Sequence, residues 1–456
     1  MVRNVHPIWG VRPRASRVPT RTYMGIIAAL VQRMSIVRHV VIGLAACGHP
    51  AADGGPDGGG VGVGSDGSVV ELRACDPANA SVVRYYVSPS GSDDNSCATA
   101  TSQSPADHKA TVAAGIACLS PGQALCIHGG TYTAAGDVID SQTYPVPSGT
   151  SWSDAITIAG VPGETVTLRP SYNVSGVRLI AGTSYLIIQD LIIDMSRSVA
   201  GADADGIFMY QAHHIRFRHV EVMNGASFGV HFGDQTPFNE MLECSIHDFG
   251  LPNSTPSEGH GLYITGSDNL FEGNHVYNNQ GYGFHIYNNH GSHDDPSRNV
   301  IRNNKIDGNG VHGSPAYAIV LGWGDGNLVY NNLIYRNQGG VSLYTASTRS
   351  GVYNNTIYAN HDEGLMLQYY ADGQVIRNNI IYANGADIVD FGGVGAPTSD
   401  HNLLTDPSFT NADAGDFTLK PGSAARDAGA TIPEVTDDYA HHARQDAAYD
   451  IGAFEL

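Results

Sequence analysis

Three side chains able to carry protons occupy equivalent positions in three similar segments of the sequence. His231, Tyr263 and His285 each follow a glycine and an apolar residue, and His260 directly precedes one of those glycines. A histidine near its ordinary pKa can remove a proton, and a tyrosine can pass one to a leaving oxygen. Such a set could carry out β-elimination, in which the C5 proton beside a uronate carboxylate is removed and the oxygen on C4 departs.

The segments that carry these side chains belong to a repeat of short strands. Glycine and asparagine mark the corners, apolar and outward residues alternate within each strand, and helical periodicity is missing. Self-similarity at this period indicates a solenoid, in which each repeat buries its apolar face only by stacking on its neighbours. The anchor aliphatic residues lie 23 to 30 residues apart and are Val222, Ile246, Val276, Ile306, Ile334, Ile357 and Ile381.

This pattern predicts an all-β fold, a right-handed single-stranded parallel β-helix, because parallel crossovers are nearly always right-handed. The predicted segments are an export signal (1–46), a Gly-rich tether (47–68), an N-terminal cap with the first coils (69–170), the β-helix coils (171–397) and a C-terminal cap (398–456). Asparagines two residues before the anchor aliphatics are expected to stack as amide ladders at the turns. They are Asn274, Asn304, Asn332, Asn355 and Asn379.

One face of the predicted solenoid carries aromatic residues where a solvated strand normally carries Thr, Ser, Lys or Glu. Neighbouring coils lie about 4.8 Å apart, so His231 and His285 are expected about 10 Å apart, with Tyr263 between them. Aromatic faces with hydrogen-bonding edges suit sugar rings. The alternative is an aromatic ladder that only stabilises the sheet, or a loop that covers it. The residues predicted to bind substrate are Phe208, Tyr210, Tyr282, Tyr287, Tyr317, Trp323 and Tyr344.

Acidic residues cluster in or beside the loops that leave the same strands. Aspartates on consecutive coils can form an oxygen-rich Ca²⁺ site, and such a cation would neutralise a uronate and acidify its C5 proton. The alternative is solvated turn aspartates in an acidic protein. Lys305, with Arg298 and Arg302 nearby, is another candidate proton acceptor, although the alternation places it on a different face. The predicted Ca²⁺ ligands are Asp205, Asp234, Asp268, Asp294 and Asp295.

The net charge and the N-terminal segment limit the binding partners that this protein can have. The formal net charge is −20 and only three lysines occur, which argues against a nucleic-acid partner. Residues 34–47 combine a basic start, an apolar run and small residues before a cysteine, the order of an export signal. Leu44-Ala-Ala-Cys47 resembles the bacterial lipobox, which implies lipidation of Cys47; the alternative is an ordinary cleaved signal. We therefore expect a monomeric lipoprotein at the outer membrane or cell surface that meets the membrane only through this anchor.

Cysteine usage agrees with export. Cys75, Cys97, Cys118 and Cys126 crowd the predicted N-terminal cap, and an oxidising compartment favours two disulfides. We expect Cys118 to pair with Cys126, although the sequence does not fix the pairing. Cys244 alternates in phase with inward residues, which predicts a buried thiol.

Both ends of the exported part resemble known proteins. Tyr85-Tyr-Val-Ser-Pro-Ser-Gly-Ser-Asp93 and Cys126-Ile-His-Gly-Gly-Thr-Tyr132 resemble the start of secreted right-handed β-helix proteins of the pectate lyase-like superfamily, among them polysaccharide lyases. Asp450-Ile-Gly-Ala-Phe-Glu455 is similar to their C-terminal cap. The resemblance implies that a strand and a short helix, near 111–119, cap the first coil. It is specific for the fold and weak for activity.

These observations favour a surface-tethered lyase that binds an extended uronate-containing polysaccharide and cleaves it by β-elimination. A non-catalytic glycan-binding or structural surface protein is the main alternative. An inverting hydrolase is the third, since Ala204-Asp-Gly-Ile207 and Gly259-His-Gly261 each resemble part of the polygalacturonase signature. The coil between them lacks the expected pair of aspartates. Tyr282-Gly-Phe-His285 begins like the mannuronan epimerase motif but lacks the Asp-Pro-His that follows there.

Overall fold

A computed structural model describes residues 73–199, 204–250, 259–288, 295–310, 316–369, 372–444 and 448–456. It also describes two short antiparallel strands, β1 (Val61–Val63) and β2 (Val69–Glu71). The predicted export signal (1–46), Cys47 and Asp294 lie outside these residues. Among the described helices, none has the length and apolar character needed to cross a membrane.

Three long parallel sheets form the body of the protein. From β4 to β33 each turn of the chain adds one strand to each sheet in the order sheet 1, sheet 2, sheet 3, and β3 and β34 extend sheet 1 at its two ends. Sheet 1 has twelve strands: β3 (Arg84–Val87), β4 (Ala124–Ile127), β7 (Ile156–Gly160), β10 (Ser184–Gln189), β13 (His213–Arg218), β16 (Glu240–Leu242), β19 (Leu270–Glu272), β22 (Val300–Arg302), β25 (Leu328–Tyr330), β28 (Gly351–Tyr353), β31 (Val375–Arg377) and β34 (Thr398–Asp400).

Sheets 2 and 3 have ten strands each. Sheet 2 contains β5 (Gly130–Tyr132), β8 (Val166–Leu168), β11 (Ile192–Asp194), β14 (Glu221–Met223), β17 (Ser245–His247), β20 (His275–Tyr277), β23 (Lys305–Asp307), β26 (Leu333–Tyr335), β29 (Thr356–Tyr358) and β32 (Ile380–Tyr382). Sheet 3 contains β6 (Ile139–Asp140), β9 (Val177–Ile180), β12 (Ile207–Tyr210), β15 (Val230–Phe232), β18 (Leu262–Ile264), β21 (Phe284–Ile286), β24 (Tyr317–Asp325), β27 (Gly339–Thr348), β30 (Glu363–Gln368) and β33 (Ala386–Asp390). The predicted parallel β-helix is confirmed.

The apolar core runs along the inside of all three sheets, where alternation places every second residue of a strand. On sheet 3 the inward residues are register partners and have no exposed surface: Ile207, Val230, Leu262, Phe284, Ile319, Val341 and Leu365. A glycine precedes each of these residues except Ile319, which follows Ala318, and it lets the corner close tightly. A Cβ on Gly229 would lie 2.6 Å from the carbonyl oxygen of Gly261 on the next coil, so only glycine fits there.

Buried asparagines fix the register of the coils. Asn304 is representative: its Oδ1 accepts from the backbone N–H of Asn274 at 2.9 Å, and its Nδ2 donates to the carbonyl of Phe271 at 3.0 Å. The predicted ladder is confirmed and ends at Asn402. Two further ladders run beside it, through Asn279, Asn309, Asn337, Asn360 and Asn384, and through Asn239, Asn269, Asn299 and Asn327.

The N-terminal cap contains both disulfides, and their pairing differs from the expected one. The helix α1 (Val112–Ile116) starts after Thr111, whose side chain accepts from the N–H of Ala114 at 3.3 Å. Short 3₁₀ turns occupy Thr99–Thr101, Pro105–Asp107, Trp152–Asp154 and Ala412–Ala414.

The bonds join Cys75 to Cys126 and Cys97 to Cys118, so the predicted Cys118–Cys126 bond is wrong. Cys118 follows helix α1 and bonds to Cys97, whereas Cys126 lies on β4 and bonds to Cys75. Cys244 is a buried free thiol, as predicted, and burial raises its pKa to about 12.

The C-terminal cap covers sheet 2 rather than the aromatic face. Its hairpin, β35 (Phe409–Asn411) and β36 (Asp416–Leu419), packs on the outer side of sheet 2, where the Phe417 ring lies 4.8 Å from that of Tyr335. Arg444 donates to Asn331 at the turn between sheets 1 and 2. Lys305 lies on sheet 2 with its amine 5.9 Å from the Tyr335 ring, which agrees with the predicted difference of face. The described contacts of the cap thus leave the outer side of sheet 3 uncovered.

The asparagine ladder yields a stability prediction. Asn304→Ala would strip the buried N–H of Asn274 and the carbonyl of Phe271 of their partners, so we expect it to lower the free energy of unfolding by about 3 kcal/mol. Denaturant titration measures the change. Asn173→Ala, at an exposed turn, is the matched control and should change it by less than about 0.5 kcal/mol. Equal effects of the two substitutions would contradict a structural role for the ladder.

Candidate active site

The proton-carrying residues of the sequence pattern lie in one column on the outer side of sheet 3. His231 on β15, Tyr263 on β18 and His285 on β21 are direct register partners. Phe208 on β12 precedes His231 in the same column, and Arg178 on β9 precedes Phe208. The predicted adjacency is confirmed, because parallel strands in register place equivalent outward residues one above another.

His231 is held by a buried carboxylate from the coil below. Its Nδ1 lies 3.1 Å from Oδ2 of Asp205, whose side chain is only 6% exposed, whereas the imidazole is 21% exposed. The other oxygen of Asp205 accepts from the hydroxyl of Ser227 at 2.8 Å and from the N–H of Phe228 at 3.2 Å. The carboxylate partner places the imidazole proton on Nδ1, so the Nε2 lone pair is available as a base.

Tyr263 stands beside this imidazole and keeps its proton. The two ring centroids are 5.1 Å apart. Burial raises the pKa of Tyr263 to about 12, with smaller contributions from Tyr287 and Asp234. The phenol can therefore donate a proton at neutral pH, next to a base that can accept one.

His260 and His285 are neutral residues of the same face. Burial lowers the pKa of His285 to about 3. Burial, followed by the neighbouring imidazoles, lowers the pKa of His260 well below its ordinary value. The Nδ1 of His260 accepts from the N–H of Tyr282 at 3.1 Å, whereas the Nδ1 of His285 is buried without a partner among the described residues. Both histidines can shape the site, but neither suits proton transfer as well as His231.

Phe228 is the site residue that the sequence pattern underrated. It lies on the neighbouring outward position, stacks on His260 at 5.1 Å and contacts the rings of Tyr263 at 5.2 Å and His231 at 5.6 Å. Its central place depends on the three rings around it. It contacts both the imidazole of His231 and the phenol of Tyr263.

The predicted substrate-binding residues divide into three groups. Phe208, Tyr282 and Tyr287 pack directly on the histidines, with ring distances of 5.2, 4.6 and 5.0 Å. Tyr210 is 38% exposed and free to meet a ligand, and Tyr344 lies 6.3 Å from Tyr287. Tyr317 and Trp323 lie on the long strand β24.

The hydroxyl of Tyr317 donates to Glu363 at 2.9 Å, which ties β24 to β30, two coils further along the sheet. Trp323 lies where β24 shifts register between Gly322 and Gly324, which takes it out of regular alternation.

The aspartates predicted to bind Ca²⁺ are dispersed in the described structure. Asp205 is engaged by His231, and Asp268 forms a two-pronged ion pair with Arg298 at 2.6 Å. Asp234 accepts from Thr265 at 3.2 Å, and Asp295 from Asn288 at 2.8 Å. Within the described ranges, no three His, Cys, Asp or Glu side chains come together as metal ligands. Ca²⁺ therefore stays a prediction, and we assign it no step.

A surface depression of about 570 Å³ runs beside the column, along the corner between sheets 3 and 1. Asp268 and Asp295 line it together with Arg298, Gln211 and Gln235. His213 also lines it, but His231, His260 and His285 do not, so it is a flank of the aromatic face.

Arg178 was not singled out by the sequence pattern, although the signal is present. Gly176-Val-Arg178 repeats the arrangement of a glycine, an inward aliphatic and an outward residue one coil before Phe208. The column therefore contains a cation one coil before Phe208.

Comparison with known proteins supports this architecture. The sequence matches the family described as "Right handed beta helix region" over residues 165–334 and 311–423, which together exceed half of the chain. The chain belongs to this family. No curated protein matches the sequence.

Two solved structures share the fold at low sequence identity. A structure titled "Crystal structure of pectate lyase Pel9A" superposes with a TM-score of 0.56 at 16% identity, covering 82% of this chain and 96% of that one. A rhamnogalacturonan lyase gives a TM-score of 0.52 at 15% identity, covering 75% and 95%. At these identities the likeness establishes the fold alone.

Acidification should reveal the buried histidine. The pKa of His285 is about 3 in the native state against 6.5 for an ordinary histidine, so the unfolded chain binds a proton that the native state does not. The stabilisation is complete above pH about 6.5 and is lost as pH falls towards 3, about 2 kcal/mol between pH 7 and pH 5. His285→Phe, which removes the titration, should flatten this dependence in denaturant titrations. His442→Phe, at an exposed histidine, should not. Identical slopes for His285→Phe and wild type would contradict the assignment.

Proposed function

We propose that this protein is an exported polysaccharide lyase that acts on a uronate-containing glycan. The observation that carries the proposal is the Asp205–His231 pair beside protonated Tyr263, on an aromatic face that the described contacts of the C-terminal cap do not reach. Nε2 of His231 would take the C5 proton of a uronate, and the Tyr263 hydroxyl would give a proton to the departing oxygen on C4. The C5–H bond and the C4–O bond break, and a C4–C5 double bond forms. His231 is left with the extra proton and Tyr263 without its own, and proton exchange with solvent restores both groups.

Inverting hydrolysis is less well supported by the same geometry. It requires two carboxyl groups that reach the sugar from opposite sides and leave room for a water. Asp205 accepts three hydrogen bonds beneath His231 and has almost no exposed surface, so it cannot contact a sugar. Asp234 is the other carboxylate beside the column. One base and one acid suffice for elimination, and this favours a lyase.

A non-catalytic glycan-binding protein is the second candidate. The stacked rings around His285 favour it, because aromatic contacts account for sugar binding without any proton transfer. Two disulfides in the N-terminal cap support export in both cases. Tethering through Cys47, a cell-surface location and a monomeric state remain part of the proposal.

A substrate panel distinguishes these functions. Purified protein is mixed with several uronate polymers, with and without EDTA, and the ultraviolet absorbance of the unsaturated product is followed. A rise on one polymer supports elimination, and its loss with EDTA would indicate a required metal ion. New reducing ends without absorbance would mean hydrolysis. Retardation in an affinity gel without either product would identify a binder and contradict the lyase proposal.

Substitutions in the column should separate catalysis from binding. His231→Asn and Tyr263→Phe should each lower kcat by about 10²- to 10⁴-fold, because each removes one proton-transfer group. KM should change little, since the aromatic face remains. Tyr172→Phe, at an exposed residue outside the column, is the control and should behave as wild type. Full activity of His231→Asn would exclude this residue as the base.

A further inference from the structure

Arg178 extends the column by two coils below His231. It lies on β9 and is the register partner of Phe208, which is in turn the partner of His231. Two coil spacings place it about 10 Å from His231 along the solenoid axis. A glycan that follows the column would therefore meet Arg178 at a sugar other than the one that reacts.

The charge environment of Arg178 differs from that of the other strand arginines. Arg216, Arg218, Arg302 and Arg377 each contact a carboxylate on a neighbouring coil, and Arg84 donates to backbone carbonyls. Arg178 donates from Nη1 to Oε1 of Gln142 at 2.9 Å, a neutral and exposed partner. Among the described residues it forms no ion pair, in a chain with a formal net charge of −20.

The carboxylate nearest in the register is occupied elsewhere. Asp140 is the partner of Arg178 on β6, yet it is only 4% exposed. Its Oδ1 accepts from the N–H groups of Gln142 and Thr143 at 2.9 and 3.3 Å, and its Oδ2 accepts from the Thr143 hydroxyl at 2.8 Å. Asp140 thus fixes its own turn, which also positions Gln142. The guanidinium faces outward, and within the described part of the chain its one hydrogen bond goes to Gln142, which leaves most of its five donors available.

We propose that Arg178 and Gln142 form an anion subsite that binds an acidic substituent of the glycan on the neighbouring part of the chain. The planar guanidinium fork matches a carboxylate or a sulfate through two parallel hydrogen bonds. The Phe208 ring between Arg178 and His231 supports the intervening sugar. The proposal rests on the proposed function, because it assumes that a glycan follows this column. Arg178 is a binding residue and takes no part in proton transfer.

Binding experiments in an inactive background test the subsite. With His231→Asn as the parent, retardation in affinity gels is measured for a polyuronate, a sulfated glycan and a neutral glucan. Adding Arg178→Gln should weaken the polyuronate complex about 10- to 100-fold, the range for hydrogen bonds to a charged group. Arg178→Lys should fall between, since it keeps the charge but not the fork. Arg426→Gln, at an exposed arginine in the C-terminal cap, should leave binding unchanged.

The outcomes separate this subsite from the lyase proposal. Arg178-dependent binding of only the sulfated glycan supports the subsite and assigns sulfate as its ligand. If binding depends on Arg178 but the wild-type protein does not cleave the glycan, the subsite is supported and the lyase proposal is contradicted. If Arg178→Gln binds both acidic glycans with unchanged affinity, the subsite proposal is overturned, even if the wild-type protein cleaves one of them. In an active enzyme the substitution should raise KM and leave kcat within about twofold.

Discussion

Hydrogen bonding between equivalent residues of successive coils is the constraint on which the site depends. The amide of Asn304 joins two neighbouring coils, and the same contact recurs along three buried ladders. Because the register cannot slip without breaking these bonds, residues far apart in sequence become neighbours at a fixed spacing of about 4.8 Å. His231, Tyr263 and His285 form a column for this reason, and no local element holds them together.

Burial then differentiates side chains that the register makes equivalent. His285 and His231 occupy the same strand position on different coils, yet burial lowers the pKa of His285 to about 3, while His231 is partly exposed and held by Asp205. The aromatic rings on this face would bind a sugar. They also bury most of the polar side-chain groups beside them. One imidazole with a carboxylate behind it and one phenol remain as the proton-transfer pair.

The sequence predicted those features that recur with the period of the coils. The predicted alternation of apolar and outward residues agrees with the burial of Ile207 and Val230, and recurrence identified the ladder that contains Asn304. It could not predict the Asp205–His231 hydrogen bond, because that contact joins different positions of two coils and depends on side-chain reach. The Cys118–Cys126 pairing failed for a related reason: both cysteines lie in the irregular cap, where no repeat relates them. Arg178 escaped notice because the column was counted from the next coil onward.

Deuterium exchange at C5 of a uronate polymer in heavy water tests the central claim most directly. Tyr263→Phe keeps the base but lacks the acid, so it should incorporate deuterium at C5 faster than it releases product. His231→Asn should show neither exchange nor release. Mass spectrometry of the recovered polymer measures both. Exchange in His231→Asn at the rate of Tyr263→Phe would contradict the assignment of His231 as the base. Cleavage by wild type without any exchange in Tyr263→Phe would contradict an account in which His231 removes the C5 proton independently of Tyr263.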